Sequence, residues 1–319
     1  MENDILVSIS CATYNHESYI RQCLDGFVMQ KTNFEFEILI HDDASTDGTT
    51  TIIREYVDKY PNLIKPIFQI ENQYSKGVPI SQTYNWPRAR GKYIALCEGD
   101  DYWTDPYKLQ KQVDFLEANP EYGLIYTDYS RLNKDNLEYA CILNGKTRKI
   151  NSYEEMLQYA GFIVPCSWLF RKSIYERLDK IENVVDGSFV LALEFFMKSK
   201  VAFINEVTCV YRVLSESASH TRFLEKSYKY IKGILFIQEF FFHKYGNVTY
   251  SIYDLLANNY TLIFPKAIAL EDKEMINKIR RLLIHRLTIK RFLLIVLSYL
   301  PIMSYLFKFI YKTRGFKVI

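Results

Sequence analysis

The chain has 319 residues, of which 49% are hydrophobic and 24% charged, a composition typical of a folded globular protein that excludes a disordered one. The net charge is only +3, and the basic residues flank apolar blocks instead of forming a polar stripe, which excludes nucleic acid as a partner. The N-terminal residues have no basic region followed by an apolar stretch, so we expect no signal peptide. Six cysteines without a C-x-x-C pair fit reduced thiols, which predicts a cytoplasmic location.

Strands and helices alternate along the first 130 residues. Apolar runs predict strands at 5–10, 36–41, 63–69, 92–97 and 122–128. Helical spacing predicts helices at 18–30, 49–60 and 105–120, the second of them opened by Asp47 as N-cap. This alternation predicts an α/β fold with a mostly parallel sheet and flanking helices.

The second half of the chain is mixed and then helical. Two more strands are predicted, at 161–172 and 201–213, with a helix around 189–198 between them. From Arg222 onward the pattern is almost wholly helical.

Polar loops follow three of the predicted strands. They are "CATYNHE" after the first, "HDDASTDGT" after the second and "CEGDDYW" after the fourth. Because ligands of open α/β sheets bind outside the carboxyl ends of the strands, we expect the three loops to form one site. The chain has neither G-x-G-x-x-G nor G-x-x-x-x-G-K-[ST], which argues against an ordinary dinucleotide or P-loop site.

The loop after the fourth strand holds three carboxylates within four positions, Glu98, Asp100 and Asp101. These groups repel one another, and no Lys or Arg precedes them directly. Carboxylates with open water positions suit Mg²⁺ or Mn²⁺, which also bind substrate phosphates. The alternative is an acidic turn exposed to solvent.

The other two loops offer groups that recognise a nucleoside. Asp42 and Asp43 can accept hydrogen bonds from a base N–H or a ribose hydroxyl, and the ring of Tyr14 can stack on a base. Taken alone, the aspartates also fit an ordinary turn before a helix, and Tyr14 fits core packing.

Together the three loops resemble the signature of family 2 glycosyltransferases with the GT-A fold. "VYRVLSESASH" at 210–220 is similar to a segment that follows the catalytic region in that family. The resemblance implies a GT-A domain at 1–220, with a helical extension at 221–319 outside it. It also implies an inverting transfer from a nucleotide-diphosphate sugar, with UDP-sugars favoured, to a saccharide or lipid-linked acceptor, and a role in cell-surface polysaccharide or glycolipid synthesis.

The resemblance also implies roles for individual residues. Glu98-x-Asp100 matches the D-x-D motif with Glu in place of the first Asp, so that Asp100 is the principal ligand of Mg²⁺ or Mn²⁺. The remaining positions implied to bind the nucleotide sugar are the base-recognising Asp43, its neighbour Asp42, the pocket residues Ala12 and Tyr14, the supporting Glu98 and Asp101, and Arg212 and His220 for the diphosphate.

The catalytic base departs from the family pattern. Ser188 stands where the family has an aspartate. We therefore favour Asp186 as the base. Glu194, further along the same helix, is the alternative base. If Asp186 has no catalytic role, its position fits a helix cap. Because of this departure, a non-catalytic protein that binds nucleotide sugars is an alternative hypothesis. A nucleotidyltransferase is a third hypothesis, but it would carry a Gly-rich basic loop after the first strand.

The C-terminal segment is strongly basic. Residues 273–319 contain eleven Lys/Arg and one acid, Glu274. The run of 16 residues between Arg291 and Lys308 is mostly apolar, but it is short for a spanning helix and is interrupted by Pro301. We expect residues 288–314 to lie in the membrane interface, which places the protein on the inner face of the membrane. The alternative is a helical hairpin that packs on the domain.

Overall fold

The computed structural model describes residues 4–133, 136–138, 149–159, 163–179, 181, 184–214, 221–246, 248–285 and 287–318. They form two compact units. The first, an α/β unit, contains residues 1–152, 161–183 and 187–212. The second, a helical unit, contains residues 153–160, 184–186 and 213–319.

One half of the sheet in the α/β unit is parallel. Its strands are β1 (Ile5–Thr13), β2 (Glu35–Asp42), β3 (Ile64–Phe68) and β4 (Tyr93–Leu96). They lie in the order β3-β2-β1-β4, and each neighbouring pair is parallel. Helices α1 (Ile20–Val28) and α2 (Thr49–Lys59) provide the first two crossovers. The predicted strands and helices are therefore confirmed in this half, and the carboxyl ends of the strands share one edge. The N-cap of α2 is Gly48 and not Asp47, although Asp47 Oδ1 accepts from Thr49 N–H at 3.0 Å.

The other half of the sheet is antiparallel where the register is defined. Its strands are β5 (Tyr102–Trp103), β6 (Tyr122–Asn133), β7 (Asn136–Glu138), β8 (Leu169–Arg171) and β9 (Lys200–Val213). The sheet continues from β4 through β8, β6 and β9 to β5, while β7 pairs with β6. The pairs β4–β8, β6–β8, β5–β9 and β6–β7 are all antiparallel. The parallel character that we predicted is thus confined to the first four strands.

Three helices complete the α/β unit, α3 (Lys108–Ala118), α5 (Lys172–Tyr175) and α6 (Gly187–Lys198). The strand that we predicted at 161–172 is wrong over part of its length. Residues Pro165–Ser167 form a 3₁₀ turn, and the strand begins only at Leu169. Pro165 has no N–H to give to a ladder, and the Ser167 hydroxyl bonds the Val164 carbonyl at 2.7 Å, which closes the turn.

The core of the α/β unit lies between the sheet and its helices. Helix α1 buries one face, and Phe27 on that face packs edge-to-face on Trp103 of β5 at 4.9 Å. At Gly26 a Cβ atom would come within 2.9 Å of the Trp103 backbone nitrogen, so glycine permits this close approach. The residues just after the acidic loop are thereby fixed against α1.

The helical unit is built from α4 (Tyr153–Gln158), α7 (Leu224–Tyr245), α8 (Ile252–Ala269), α9 (Lys273–Ile284), α10 (Ile289–Leu297) and α11 (Met303–Thr313). Three of these helices have side-chain N-caps, Ser251 on α8, Asp272 on α9 and Thr288 on α10. Within the described part of the chain, no helix combines the length and the apolar composition that crossing a bilayer requires.

Lys108 at the start of α3 is fully buried. Its ammonium lies 4.4 Å from the centre of the Trp103 ring, and it donates to Gln112 Oε1 at 2.7 Å. Burial in this apolar surrounding lowers the pKa of Lys108 from 10.5 to about 8. The unfolded chain therefore binds one more proton than the folded protein between these two pH values, and folding becomes more favourable as the pH rises through that window.

This predicts a pH-dependent effect of Lys108→Met. From about pH 8 to pH 10.5, the free energy of unfolding of the wild type should rise relative to the variant by up to about 3 kcal/mol. Urea denaturation at a series of pH values measures the difference. Lys59→Met, which removes an exposed lysine, is the control, and a wild-type advantage that stays constant over this range would contradict the assignment.

Candidate functional site

Backbone hydrogen bonds at the end of β1 bring two polar loops to the same place. The Ser10 and Ala12 carbonyls accept from the backbone N–H groups of Cys97 and Gly99, at 3.2 and 3.0 Å. The Thr13 carbonyl accepts from Asp43 N–H at 3.0 Å. The loop after β2 and the acidic loop after β4 are therefore both fastened to the last residues of β1, as we expected from the strand order.

The loops after β1 and β2 are also joined directly. Asn15 N–H donates to Ser45 Oγ at 2.9 Å, and Asn15 Oδ1 accepts from Thr46 N–H at 2.8 Å. Asn15 and Ala44 have positive φ angles of 53° and 65°. Asparagine tolerates this left-handed backbone, but the Cβ of an alanine is strained there.

Asp42 and Asp43 are buried, with exposed fractions of 1% and 2%. Asp42 Oδ1 accepts from Ser45 N–H at 3.1 Å, so this carboxylate closes the turn. Asp43 accepts from the backbone N–H groups of Gln73 and Tyr74, both at 2.9 Å, and lies 3.4 Å from His41 Nε2. Asp43 thus holds the loop that follows β3, and its role in base recognition stays a prediction.

The loop after β3 is the part of this edge that the sequence analysis missed. Tyr74 in this loop is 66% exposed, and Tyr14 in the loop after β1 is 42% exposed. Ala12 is half-buried at the end of β1. The signal was available, because β3 is parallel to β2 and its carboxyl end reaches the same edge. The polar loop "ENQYSKG" at 71–77 follows β3 just as the other three polar loops follow their strands.

The acidic loop gives its three carboxylates different surroundings. Glu98 is exposed, whereas Asp101 is 4% exposed and accepts from Arg212 N–H at 2.8 Å. Burial, with the neighbouring Asp100 as the next cause, holds the pKa of Asp101 well above its usual value. Asp100 Oδ1 is buried and has no hydrogen-bond partner among the described residues. A buried carboxylate oxygen without a partner is costly unless a ligand satisfies it.

Gly99 lets this loop lie close to β1. A Cβ atom at Gly99 would come within 2.9 Å of His16 Nδ1 and still closer to the Thr13 hydroxyl. Those two atoms lie 3.1 Å apart, within hydrogen-bond distance. Burial lowers the pKa of His16, although Asp100 acts in the opposite direction. His16 was also missed from the sequence, where it stands two residues after Tyr14 as a single histidine in a polar loop.

Arg212 is buried beneath the acidic loop instead of reaching out from it. Its guanidinium donates to the Asp100 carbonyl oxygen and to Gln22 Oε1. It also lies over the rings of Tyr19 and Tyr102, at 5.0 and 4.6 Å from their centres. Its exposed fraction is 6%. The contacts identify Arg212 as a residue that positions the loop. Contact with a diphosphate, which the resemblance implied, stays a prediction.

The candidate base residues belong to both units. Asp186 lies in the helical unit, where its carboxylate accepts from the Tyr230 hydroxyl at 2.8 Å. Ser188 lies in the first turn of α6, and Glu194 on the same helix is 1% exposed. His220 lies outside the described residues.

The residues that are present fit a metal ion held mainly by substrate and water. No group of three or more His, Cys, Asp or Glu side chains in the described part of the chain has the arrangement of a metal site. Mg²⁺ and Mn²⁺ do not require one, since Mg²⁺ sites usually combine one or two carboxylates with waters and substrate phosphates. The unpartnered Oδ1 of Asp100 is the atom available for such an ion.

Comparison with known proteins identifies the family. The sequence profile of glycosyl transferase family 2 matches residues 8–179, more than half of the chain. The chain belongs to glycosyl transferase family 2. A relative in Escherichia coli, the UDP-Glc:α-D-GlcNAc-diphosphoundecaprenol β-1,3-glucosyltransferase WfaP, is 30% identical to this family 2 protein over 69% of the chain and 82% of its own length.

A second relative, an uncharacterized protein of Mycobacterium tuberculosis, is 36% identical over 221 residues. The matched region spans 69% of this chain but only 62% of the mycobacterial protein.

Two solved structures share the fold. Staphylococcus aureus TarS 1–349, in complex with UDP-GlcNAc, aligns over 95% of this chain and 92% of its own with a TM-score of 0.58 and 14% identity. The mannosyltransferase PcManGT of Pyrobaculum calidifontis, in complex with GDP-Man and Mn²⁺, aligns over 99% and 88% with a TM-score of 0.58 and 15% identity. The predicted fold class, an α/β GT-A fold with additional C-terminal helices, is confirmed.

The strained backbone at Ala44 predicts that Ala44→Gly stabilises the protein. The left-handed conformation costs an alanine about 1–2 kcal/mol, and the greater freedom of glycine in the unfolded chain offsets about 0.5–1 kcal/mol of the gain. Urea denaturation should show a free energy of unfolding about 1 kcal/mol higher.

Ala89→Gly is the matched control, because Ala89 is buried and has an ordinary φ of −65°. It should lose stability. Equal losses in the two variants would mean that Ala44 is not strained.

Proposed function

We propose that the protein is a glycosyltransferase that uses a nucleotide-diphosphate sugar as donor. The observation that carries this proposal is the buried, unpartnered Oδ1 of Asp100, at the edge where the loops after β1, β2 and β4 are fastened together. A divalent cation is the ligand that such an oxygen accommodates, and that cation would in turn neutralise a diphosphate. Membership of family 2 supports the same chemistry.

The residues at this edge of the sheet would each bind a different part of the donor. Asp43 accepts hydrogen bonds from the base or the ribose, and the exposed ring of Tyr14 offers a stacking surface. Asp100 would hold Mg²⁺ or Mn²⁺, with Glu98 and Asp101 in support. When it is bound, the cation supplies positive charge that neutralises the departing nucleoside diphosphate. Arg212 keeps the acidic loop in place through the Asp100 carbonyl.

The transfer is proposed to invert the anomeric carbon. Asp186 takes the proton of the acceptor hydroxyl while that oxygen attacks the anomeric carbon, and the bond to the diphosphate breaks in the same displacement. The Tyr230 hydroxyl, which donates to Asp186, orients the carboxylate.

We favour a UDP-sugar as donor and a saccharide or lipid-linked acceptor. Support comes from the E. coli relative, whose name gives UDP-Glc as donor and a diphosphoundecaprenol-linked sugar as acceptor. A Bacillus subtilis relative, TuaG, is named for teichuronic acid biosynthesis. Transfer to a lipid-linked acceptor takes place at a membrane. The eleven basic residues after position 272 have the charge that attracts the anionic inner face of that membrane. The proposed location is therefore cytoplasmic and peripheral to that membrane.

A non-catalytic nucleotide-sugar-binding protein is the second candidate function. The observation that favours it is Ser188 in the first turn of α6, where the resemblance implies an aspartate. Such a protein would bind the donor at the same edge of the sheet without transferring its sugar.

Replacement of Asp100 by Asn tests the cation and the donor together. The variant should lose the Mn²⁺ dependence of donor binding and bind the UDP-sugar at least about tenfold more weakly, since the diphosphate loses a charge-neutralising partner. Titration calorimetry with and without Mn²⁺ measures both effects. Asp58→Asn, on the exposed face of α2, is the control and should match the wild type. Unchanged affinity and metal dependence in Asp100→Asn would refute the assignment.

Replacement of Asp186 by Asn separates the two candidate functions. For an enzyme with this base, kcat should fall by roughly 10²–10⁴-fold while the donor KM stays nearly constant. Ser188→Ala should retain activity. Steady-state turnover of labelled UDP-sugars measures these constants. Full activity of Asp186→Asn would place the base elsewhere, and a wild type that binds donor without turnover would favour the binding protein.

A further inference from the structure

The C-terminal hairpin, α10 and α11, presents an apolar face to the outside. On α10 the exposed apolar positions are Ile289, Phe292, Leu293 and Val296, and on α11 and just before it they are Ile302, Tyr305, Leu306 and Phe309. Leu300, in the turn between the two helices, is exposed as well. Each of these side chains is at least 44% exposed. The spacing within each set is i, i+3, i+4 and i+7, which places each set on one side of its helix.

The opposite side of the hairpin is held by the helical unit. Ile295 and Met303 are buried, and α11 packs against α8. The Arg280 guanidinium of α9 donates to Ser298 Oγ at 2.8 Å and lies 3.7 Å from the centre of the Tyr299 ring. The hairpin therefore packs on its unit with one face, as the alternative interpretation expected, and its apolar face stays exposed.

A groove of about 320 Å³ lies beside this apolar face, between α8 and the start of α10. Thr261, Leu262, Thr288, Lys290 and Arg291 line it. Arg291 Nε donates to Thr261 Oγ1 at 3.2 Å, which fixes the guanidinium at the groove, while Lys290 is exposed. The Thr261 hydroxyl already donates to the Ala257 carbonyl at 2.6 Å. Lys290, the remaining N–H groups of Arg291 and the Thr288 hydroxyl form a donor set suited to phosphate oxygens.

We propose that this surface binds an anionic bilayer, and that the groove takes the phosphate of a lipid headgroup while the apolar face enters the acyl region. A phosphate in the groove would stand at the polar edge of a face that buries five to nine apolar side chains, which is the arrangement of headgroup and chain in a lipid layer. The inference deepens the proposed function and rests on its location at a membrane.

The charges near the hairpin favour a bilayer over a second copy of the chain. No Asp or Glu follows Glu274 in the sequence, whereas Lys290, Arg291, Lys312 and Arg314 all lie on or next to the two helices. Two copies that met through this face would bring these cations together. Anionic headgroups instead offer the complementary charge along the whole face.

The test uses the full chain and sedimentation with two kinds of vesicle, phosphatidylcholine alone and phosphatidylcholine mixed with phosphatidylglycerol. The wild type should bind the mixed vesicles more tightly. Lys290→Gln/Arg291→Gln should weaken that binding by about tenfold or more, because it removes two cations at the headgroup level. The control Lys226→Gln/Lys229→Gln removes the same charge from exposed positions of α7 and should change binding less than about threefold. Phe292→Ser/Leu293→Ser should weaken binding to both kinds of vesicle.

Several outcomes would overturn the inference. They are a wild type that stays in the supernatant with all vesicles, equal losses in the groove and control variants, and binding of inorganic phosphate in calorimetry without binding of vesicles. The face would instead belong to an interface with a second copy if the wild type is a dimer in buffer and does not bind vesicles, and Phe292→Ser/Leu293→Ser is a monomer. Binding and turnover of UDP-sugar in the same preparations, without vesicles, report on the proposed function separately, so that either can fail alone.

Discussion

The carbonyl groups at the end of β1 are the constraint on which the candidate site depends. Ser10, Ala12 and Thr13 accept backbone hydrogen bonds from Cys97, Gly99 and Asp43, so that loops from distant parts of the chain meet at one strand end. Backbone hydrogen bonds of this kind do not depend on the identity of the side chains. The carboxylates of Asp42, Asp43 and Asp101 accept backbone N–H groups that hold the loops, whereas Asp100 Oδ1 has no hydrogen-bond partner among the described residues.

The acidic loop sits on a set of buried polar groups that keep it in place at a cost in stability. Asp101 is buried with a raised pKa, Arg212 binds the Asp100 carbonyl, and Lys108 lies under Trp103 with a lowered pKa. Groups of this kind are expensive to bury, and they are found where an arrangement must be held for function. Asp100 is the member of the acidic loop whose buried oxygen is left without a protein partner among the described residues. These contacts hold the acidic loop in place, as the proposed cation site at Asp100 requires.

The sequence predicted the parallel strands well because each is a short apolar run bounded by turn residues, and the chain order puts β1 between β2 and β4. It predicted the antiparallel half poorly, since Pro165 and its neighbours form a turn inside an apolar stretch. The acidic loop was found from its charge alone. The contacts by which Arg212 positions this loop were not predicted, because a guanidinium that bonds a carbonyl has the same sequence pattern as one that binds a phosphate. Tyr74 and His16 were missed because each depends on a contact made only in the folded chain.

Diffraction from crystals of the full chain grown with Mn²⁺ and UDP would test the donor site most directly, because the anomalous signal of manganese locates the cation without reference to activity. The expected result is a manganese peak within about 2.5 Å of Asp100 Oδ1, bridged to the diphosphate, with the uracil beside Tyr14 and the loop that Asp43 holds. A nucleotide bound at another surface, or a manganese peak that no carboxylate of the Glu98–Asp101 loop contacts, would contradict the assignment of this edge as the donor site.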